Sequence, residues 1–295
     1  MSRPRRSVLY VPGSNARALE KSKLLPVDGL IFDLEDSVAP CAKQLARDQV
    51  VRALRAGGYG TRELLVRVNS FDTPWGEDDL LAVANAGADA VLLPKVDRAA
   101  TVTQAAEMIR TSHATDEEKP IAIWCMMETP RGILHAEEIA DEIRAASLWA
   151  GGLVMGTSDL AKSIHALHTK TRLPLITSLS LCLLAARAAR VPILDGVFLD
   201  LSDIEGFEAS CRQGREMGFD GKTLIHPKTV EAANRIFAPT DAEIAQARRV
   251  IEAFGMAVKE GKAVAVVDGA LVERLHAEDA KRLLSLSEAV ERAKV

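Results

Sequence analysis

The stretch GLIFDLED (residues 29–36) shows the pattern that predicts the fold of the whole chain. A short, nearly continuous apolar run is followed at once by acidic side chains, and such runs are typical of parallel strands buried on both faces. Seven further runs of the same kind are present: SVLYVPG (7–13), ELLVRVN (63–69), AVLLPKV (90–96), IAIWCMME (121–128), GLVMGTSD (152–159), ILDGVFLD (193–200) and GKTLIHP (221–227).

Segments with helical periodicity separate these runs. Their predicted bounds are Ala16–Leu24, Lys43–Ala56, Glu77–Ala86, Ala99–Thr111, Ala136–Ala146, Leu179–Arg190, Gly206–Met217 and Thr229–Phe237. Eight strand–helix units within about 235 residues match the TIM (β/α)8 barrel in number and length, so we predict this α/β fold. The alternative is a doubly wound open sheet, which normally stops at about five to seven strands, and the first turn, PGSN, lacks the GxGxxG pattern of a dinucleotide site.

Composition excludes several classes of protein. The 295 residues include 37 basic and 41 acidic side chains, so the formal net charge of −4 lacks the basic excess of nucleic-acid or membrane-surface proteins. No run approaches the ~20 apolar residues of a membrane span. The four cysteines are far apart, which favours reduced thiols over a disulfide or zinc framework. We therefore expect a cytoplasmic enzyme with a small-molecule substrate and without a nucleic-acid or membrane partner.

The pattern changes after the eighth unit, which divides the chain into a barrel domain (1–238) and a C-terminal extension (239–295). The extension begins with a Thr-Asp capping pair ahead of a helical period, continues with two β-like runs that meet at Asp268-Gly269, and ends in a helix predicted from Ala277 to Ala293. About 55 residues are too few for a core of their own. We expect the extension to act as a lid that packs on its own barrel or on a neighbouring subunit.

Polar side chains follow the predicted strands at their carboxyl ends. They are Asn15, Glu35, Asp36, Arg67, Lys95, Glu128, Asp159, Asp200 and His226. In a TIM barrel these ends meet at one mouth, where catalytic groups lie. Several carboxylates with an arginine and a lysine, but without a His or Cys cluster, are typical of a site for Mg²⁺ or Mn²⁺ and not for zinc.

Seven short motifs together resemble a known family. They are RSVLYVPGSN, FDLEDSVAP, VRVN, LPKV, METP, MGTSDLA and FDGKTLIHP, in this order. With them, and with the hairpin VVDGALVE, the whole chain resembles the citrate lyase β-subunit and malyl-CoA lyase family of the HpcH/HpaI aldolase superfamily. The resemblance implies a Mg²⁺-dependent TIM barrel, commonly a homotrimer or homohexamer, that breaks or forms the carbon–carbon bond between an acyl-CoA and an oxo acid.

The resemblance also implies the metal ligands. Glu128 of METP and Asp159 of GTSD match the two direct Mg²⁺ ligands of the family, and Glu35 and Asp36 match the pair that holds metal-bound waters. The residues themselves leave alternatives open. Glu128 could pair with an arginine, Asp159 could cap a helix, and Glu35 and Asp36 could form an exposed acidic turn.

Substrate contacts follow from the same comparison. Arg67 matches the arginine that binds the carbonyl or enolate oxygen at the reaction centre, although a strand-end arginine could also form a salt bridge to the acidic pair. Lys95 is equally compatible with a substrate contact and with neutralisation of the acidic cluster. The turn of Gly156, Thr157 and Ser158 matches the site that binds the carboxylate of the oxo-acid half.

The predicted contacts of CoA rest on resemblance alone. Tyr10 and Lys21 match family positions that contact CoA, with Lys21 at its phosphates. Asn15 departs from the pattern of relatives that carry an arginine, and Arg17 is a candidate replacement. His226 is as compatible with a packed, hydrogen-bonded residue as with an acid or base.

The activity implied by the resemblance is retro-Claisen cleavage of a β-hydroxyacyl-CoA of the malyl-CoA, methylmalyl-CoA or citramalyl-CoA type. The acid–base residue of the family is an aspartate on the C-terminal hairpin, which Glu273 replaces here with one more methylene. The ending VVDG-x-x-VE-x-LH also resembles the malyl-CoA thioesterases, in which Glu273 would activate water for attack on the thioester. A second alternative is the β subunit of a citrate lyase complex, and a surface carboxylate is the remaining interpretation of Glu273.

Overall fold

A computed structural model describes residues 3–112, 121–146 and 151–293. The chain divides into two compact units. One comprises Arg5–Asn234, and the other comprises the described residues of Met1–Pro4 and Arg235–Val295. In the described ranges, no helix combines the length and the apolar character needed to cross a membrane.

The first unit is a closed barrel of eight parallel strands in sequential order. The strands are β1 (Ser7–Pro12), β2 (Gly29–Asp33), β3 (Glu63–Arg67), β4 (Ala90–Leu93), β5 (Ala122–Met127), β6 (Gly152–Met155), β7 (Ile193–Asp195) and β8 (Gly221–Leu224). Each strand pairs with the next, and β8 pairs with β1 through Val8 opposite Thr223. The predicted TIM barrel is confirmed, and the open-sheet alternative is wrong.

The described residues up to Phe237 form ten α-helices. They are α1 (Ala16–Ser22), α2 (Lys43–Ala56), α3 (Gly76–Ala84), α4 (Ala99–Ser112), α5 (Pro130–Leu134), α6 (Ala136–Ala146), α7 (Thr157–Ser163), α8 (Ile176–Ala189), α9 (Ile204–Met217) and α10 (Val230–Phe237). Eight of them lie within a few residues of the predicted bounds. The sequence did not predict α5 and α7, because five and seven residues are too few to show a helical period.

Alternating strand residues fill the barrel interior. Trp124 of β5 is the largest fully buried side chain, and it packs there with apolar residues of the other strands, among them Val8, Ile31, Leu92 and Leu194. The residues between them face the surrounding helices, which explains why the runs are apolar throughout instead of alternating.

The end of β7 differs from the prediction. The run ILDGVFLD was expected to continue to Asp200, but the strand ends at Asp195 and Asp200 lies in an exposed turn. Asp195 is fully buried, and its carboxylate forms ion pairs with Arg172 at 2.6 Å and with Lys222 at 2.7 Å. The chain leaves the sheet at Gly196, whose backbone lies close to Thr157. A Cβ at Gly196 would lie 2.5 Å from Thr157 Oγ1.

The second unit contains α11 (Asp241–Lys259), a hairpin of β9 (Ala265–Val267) and β10 (Ala270–Val272), and α12 (Arg274–Ala293). Its turn places Asp268 at φ 50° and Gly269 at φ 80°, the left-handed conformations that a two-residue hairpin requires. Val267 and Val272 pack against α11 and α12 in a small hydrophobic cluster. The hairpin thus buries one apolar face against two helices, and the expectation that the extension acts as a lid stays a prediction.

We expect Asp195→Asn to reduce the free energy of unfolding by about 3–5 kcal/mol, because two buried cations would lose their shared counter-charge. Denaturant unfolding followed by circular dichroism measures the change. Asp279→Asn is the matched control, since Asp279 pairs with Arg282 in an exposed ion pair and should cost less than about 1 kcal/mol. Equal effects of the two substitutions would contradict a structural role for the buried cluster.

Candidate active site

A cavity of about 360 Å³ lies at the carboxyl ends of the barrel strands. It brings together most of the residues that the sequence predicted for the site: Tyr10, Asp36, Arg67, Glu128 and the turn 156–159. Lys21, Glu35 and Lys95 are not part of its lining. Residues of β1, β2, β3, β5, β6 and β8, or directly after them, and Val197 after β7 supply the lining, because parallel strands in a closed barrel all end at the same mouth.

Arg67 is buried at the end of β3, and its guanidinium forms a bidentate ion pair with Asp33. The distance from Nε to Oδ1 is 2.7 Å, and that from Nη2 to Oδ2 is 2.8 Å. Nη1 also lies 2.9 Å from Glu35 Oε2, and the guanidinium carbon lies 5.0 Å from the centre of the Tyr10 ring. Both ion pairs and the aromatic ring fix the guanidinium in one orientation.

Sequence reasoning missed Asp33. It is the last residue of β2, and the strand register places it directly opposite Arg67. Burial opposes the ionisation of Asp33, but the hydrogen bonds and charge of Arg67 outweigh it and hold the pKa of this carboxyl below its usual value. The indication in the sequence was an aspartate and an arginine ending two consecutive strands at the same depth.

Glu35 and Asp36 lie in different environments, although the motif predicted the same role for both residues. Glu35 is buried, and the Lys95 ammonium forms a short ion pair with it. Burial raises the pKa of Glu35 despite the nearby positive charges of Arg67 and Lys95. Asp36 is exposed at the rim of the cavity, where its Oδ2 lies 3.5 Å from Arg67 Nη1.

Glu128 follows β5 and is buried, with Oε1 accepting a hydrogen bond of 2.7 Å from the backbone N–H of Lys95. Among the residues that the structure describes, it forms no ion pair with an arginine. Burial, followed by the negative charges of Glu35 and Asp159, raises the pKa of Glu128 to about 7. Glycine is required opposite it, because a Cβ at Gly156 would lie 2.5 Å from Glu128 Oε2.

Asp159 lies in the first turn of α7 and lines the same cavity as Glu128. Gly156 occupies the N-cap position of this helix, and no side chain caps it. Asp159 therefore does not serve as the cap that the sequence allowed. Ser158 Oγ is buried and has no hydrogen-bond partner in the described part of the chain, so it can bind a polar group of a ligand.

The carboxylates fit a divalent cation that keeps part of its water shell. Glu128 and Asp159 offer hard oxygen donors in one cavity. Burial is the main cause of the raised pKa of Glu128, and a bound cation would favour the ionised carboxylate. Across the described ranges, no group of three or more His, Cys, Asp or Glu side chains forms a complete cage. Two carboxylates with remaining positions for water and substrate are what Mg²⁺ commonly uses.

Of the other predicted residues, Tyr10 lines the cavity, whereas Lys21 and His226 do not. The Tyr10 hydroxyl donates to Met126 Sδ at 3.3 Å, and burial raises the pKa of Tyr10, so it stays neutral. Lys21 is exposed on α1. His226 is exposed, and its Nδ1 accepts from the Lys228 N–H. Glu273 belongs to the second unit, where it is exposed directly before α12.

Comparison with known proteins identifies this arrangement. Residues 6–227 match the HpcH/HpaI aldolase/citrate lyase family. The chain belongs to this family. The resemblance predicted from the seven motifs is thereby confirmed, and the family match covers the whole barrel apart from its last helix, α10.

Named relatives of this aldolase/citrate lyase family cover the full chain. The (3S)-malyl-CoA thioesterase of Cereibacter sphaeroides is 48% identical over 287 residues, 97% of this chain and 96% of the relative. The citrate lyase subunit beta of Escherichia coli is 37% identical over 289 residues, 97% of this chain and 94% of the relative. The structure of CitE from Mycobacterium tuberculosis, solved with magnesium, acetoacetate and coenzyme A, matches with a TM-score of 0.73 at 25% identity and covers 96% of this chain and 97% of its own.

We expect Glu128→Gln to stabilise the protein in EDTA at pH 8 and to have little effect near pH 4. Folded Glu128 binds its proton up to a pKa of about 7, whereas a free glutamate releases it near 4.5. The stability of the wild type should therefore fall as the pH rises through this window, and the glutamine, which can still accept the Lys95 N–H, should not follow it. The difference in free energy of unfolding between Glu128→Gln and the wild type should reach about 3 kcal/mol at most, measured by urea unfolding across the pH range. A gap independent of pH would contradict the raised pKa.

Proposed function

We propose that the protein is a magnesium-dependent enzyme that acts on the CoA thioester of a malyl-type β-hydroxy acid, with hydrolysis of the thioester as its main net reaction. The observation that supports a CoA-ester enzyme is the cavity itself, in which Glu128, Asp159 and the oriented Arg67 face one space. Hydrolysis takes precedence over the carbon–carbon cleavage that the motifs favoured, because a relative with 48% identity over 97% of the chain is a malyl-CoA thioesterase.

Mg²⁺ is the proposed cofactor, and Mn²⁺ would suit the same oxygen donors. Support comes from the magnesium present in the CitE structure and from the paired carboxylates of this chain. Glu128 and Asp159 would hold the ion directly, while Asp36 at the rim and Glu35 behind it would bind its waters. When bound, the ion would polarise substrate oxygens as a Lewis acid.

Arg67 has the same proposed task in either reaction. Burial works against its charge, but the hydrogen bonds and charge of Asp33 keep the pKa of the guanidinium well above its ordinary value, so it stays ionised at any working pH. Because Asp33 and Tyr10 hold it in place, it needs no reorganisation to donate to an oxygen that becomes negative. That oxygen is the thioester carbonyl oxygen, which gains negative charge when water attacks the carbonyl carbon or when an enolate forms.

The turn of Gly156, Thr157 and Ser158 is proposed to bind the free carboxylate of the substrate. Ser158 Oγ, which is buried without a partner among the described residues, supports this role. Tyr10, at the cavity wall, and Lys21, exposed on α1, are proposed contacts of the CoA moiety. Lys95 is a weaker candidate for substrate contact, because its ammonium pairs with Glu35 outside the cavity lining.

Glu273 is the proposed acid–base group. In hydrolysis it would accept a proton from the attacking water as the new carbon–oxygen bond forms. It would then return this proton to the sulfur as the carbon–sulfur bond breaks, so that CoA leaves as the thiol. In cleavage it would instead protonate the acetyl-CoA enolate. We propose a closed homotrimer or homohexamer, in which Glu273 serves a cavity of its own or of a neighbouring subunit.

Carbon–carbon cleavage is the second candidate function. It is favoured by the citrate lyase subunit beta of Escherichia coli, which is 37% identical over 97% of this chain. The same relative also supports a role as the β subunit of a multienzyme complex. The two chemistries need the same polarised carbonyl and the same arginine, and they differ in the bond that breaks.

Incubation of the purified protein with malyl-CoA and Mg²⁺ tests the proposal through its products. We expect malate and free CoA, detected by mass spectrometry and a thiol reagent, whereas glyoxylate and acetyl-CoA would establish the lyase.

Asp159→Asn should lower kcat by at least about 10²-fold because a charged ligand is lost, which is within the range found for removal of an electrostatic catalyst. Glu137→Gln, an exposed carboxylate on α6, is the control and should keep full activity. EDTA-insensitive turnover by Asp159→Asn would exclude the metal assignment.

The role of Glu273 has its own test. Glu273→Gln should lose about 10²-fold or more in kcat while magnesium binding and assembly stay unchanged, because the amide keeps the shape but cannot accept a proton. Glu273→Asp, which shortens the side chain by one methylene, should raise the share of acetyl-CoA among the products. An unchanged kcat in Glu273→Gln would remove this residue from the mechanism.

A further inference from the structure

Lys95 has a left-handed backbone, with φ of 51°, at the point where the chain leaves β4. Lysine rarely adopts this conformation, because its Cβ crowds the following carbonyl oxygen. The conformation directs the Lys95 N–H at Glu128 Oε1, where it donates a hydrogen bond of 2.7 Å to a buried carboxylate. Lys95, in a strained backbone conformation, therefore donates a backbone hydrogen bond to Glu128, which lines the cavity.

The side chain of Lys95 helps to hold this conformation. Its ammonium contacts Glu35 Oε1 and lies 3.7 Å from Asp36 Oδ1, so it bridges to the loop after β2. The side chain is 43% exposed and does not line the cavity that contains Glu128. The ammonium thus contacts Glu35 and Asp36, while the backbone N–H contacts Glu128.

The residues after Lys95 are fixed to the residues after Glu128. Thr129 Oγ1 donates to Asp97 Oδ1, and His135 Nδ1 lies 2.8 Å from the Asp97 carbonyl oxygen. Gly132 packs so closely on the Val96 carbonyl that no Cβ fits between them. The two loops form one rigid corner, so the turn at Lys95 cannot relax without displacing the segment that follows Glu128.

We propose that Lys95 is a positioning residue of the cation site, and that its left-handed backbone, more than its charge, sets the orientation of Glu128. The hydrogen bond to Oε1 leaves Oε2 beside Gly156, at the wall of the cavity. The inference rests on the proposed magnesium-dependent function. The backbone of Lys95 holds Glu128 through a positive-φ conformation that glycine adopts more easily than lysine. The ion pair of its ammonium with Glu35 stabilises that conformation.

Calorimetric titration of the substrate-free protein with Mg²⁺ at pH 8 tests the proposal with four variants. Lys95→Gly should bind within about threefold of the wild type, because glycine adopts positive φ freely and keeps the N–H. Lys95→Val should bind at least about tenfold more weakly, since a β-branched residue disfavours this conformation. Lys95→Ala should fall between them, and Lys95→Arg should match the wild type.

The order of the variants separates a backbone role from a role of charge. If charge decides, Lys95→Arg alone keeps the affinity of the wild type. The glycine, alanine and valine variants would then shift the affinity equally, towards tighter binding because a positive charge beside the cation is lost, and this result would overturn the proposal. Arg190, at φ 59° after α8, is the matched control. Arg190→Gly and Arg190→Val should change thermal stability in EDTA but leave the Mg²⁺ dissociation constant unchanged.

The proposal and the proposed function fail in different ways. Mg²⁺ binding by the wild type with equal affinities of Lys95→Gly and Lys95→Val overturns the role of Lys95 and leaves the function standing. Mg²⁺ binding with the predicted order, but without turnover of malyl-CoA, overturns the function and supports the role of Lys95. A wild type that binds no Mg²⁺ overturns both.

Discussion

Asp33 and Arg67 end two adjacent strands and form a buried bidentate ion pair, and the geometry of the cavity depends on this contact. A guanidinium buried without its counter-charge would be costly, and the pair offsets that cost while Nη1 lies 2.9 Å from Glu35 Oε2. Tyr10 covers the guanidinium from β1. One contact therefore links the ends of three strands and turns an arginine into a preorganised donor.

The site concentrates more negative charge than its cations balance. The carboxylates of Asp33, Glu35, Asp36, Glu128 and Asp159 meet the positive charges of Arg67 and Lys95. Burial and like charge raise the pKa of Glu128 to about 7, which means that ionisation of this carboxyl lowers the stability of the folded chain. The apolar barrel interior around Trp124 supplies the stability that makes such an arrangement tolerable, as functional sites generally require.

Short connections place these groups as much as the strands do. Helix α7 turns Asp159 into the cavity within four residues of the end of β6, and the corner of Lys95 and Thr129 orients Glu128. Glycine permits both approaches, because Gly156 leaves room for Glu128 and Gly132 leaves room for the Val96 carbonyl. The orientation of Glu128 therefore depends on backbone positions, namely the Lys95 N–H and the glycines that leave room for close approach.

The sequence alone determined the eight-stranded barrel, the hairpin at Asp268-Gly269 and the gathering of Arg67, Glu128 and Asp159, because apolar runs, turn residues and polar strand ends are local features. Tertiary structure decided which groups pair. Only the register of β2 and β3 sets Asp33 against Arg67, and only the corner of two loops gives Lys95 a left-handed backbone. It also buries Asp195, the last residue of β7, between Arg172 and Lys222, which lie 23 and 27 residues away in the chain. Such contacts depend on distances in space between residues remote in sequence, and periodicity does not record them.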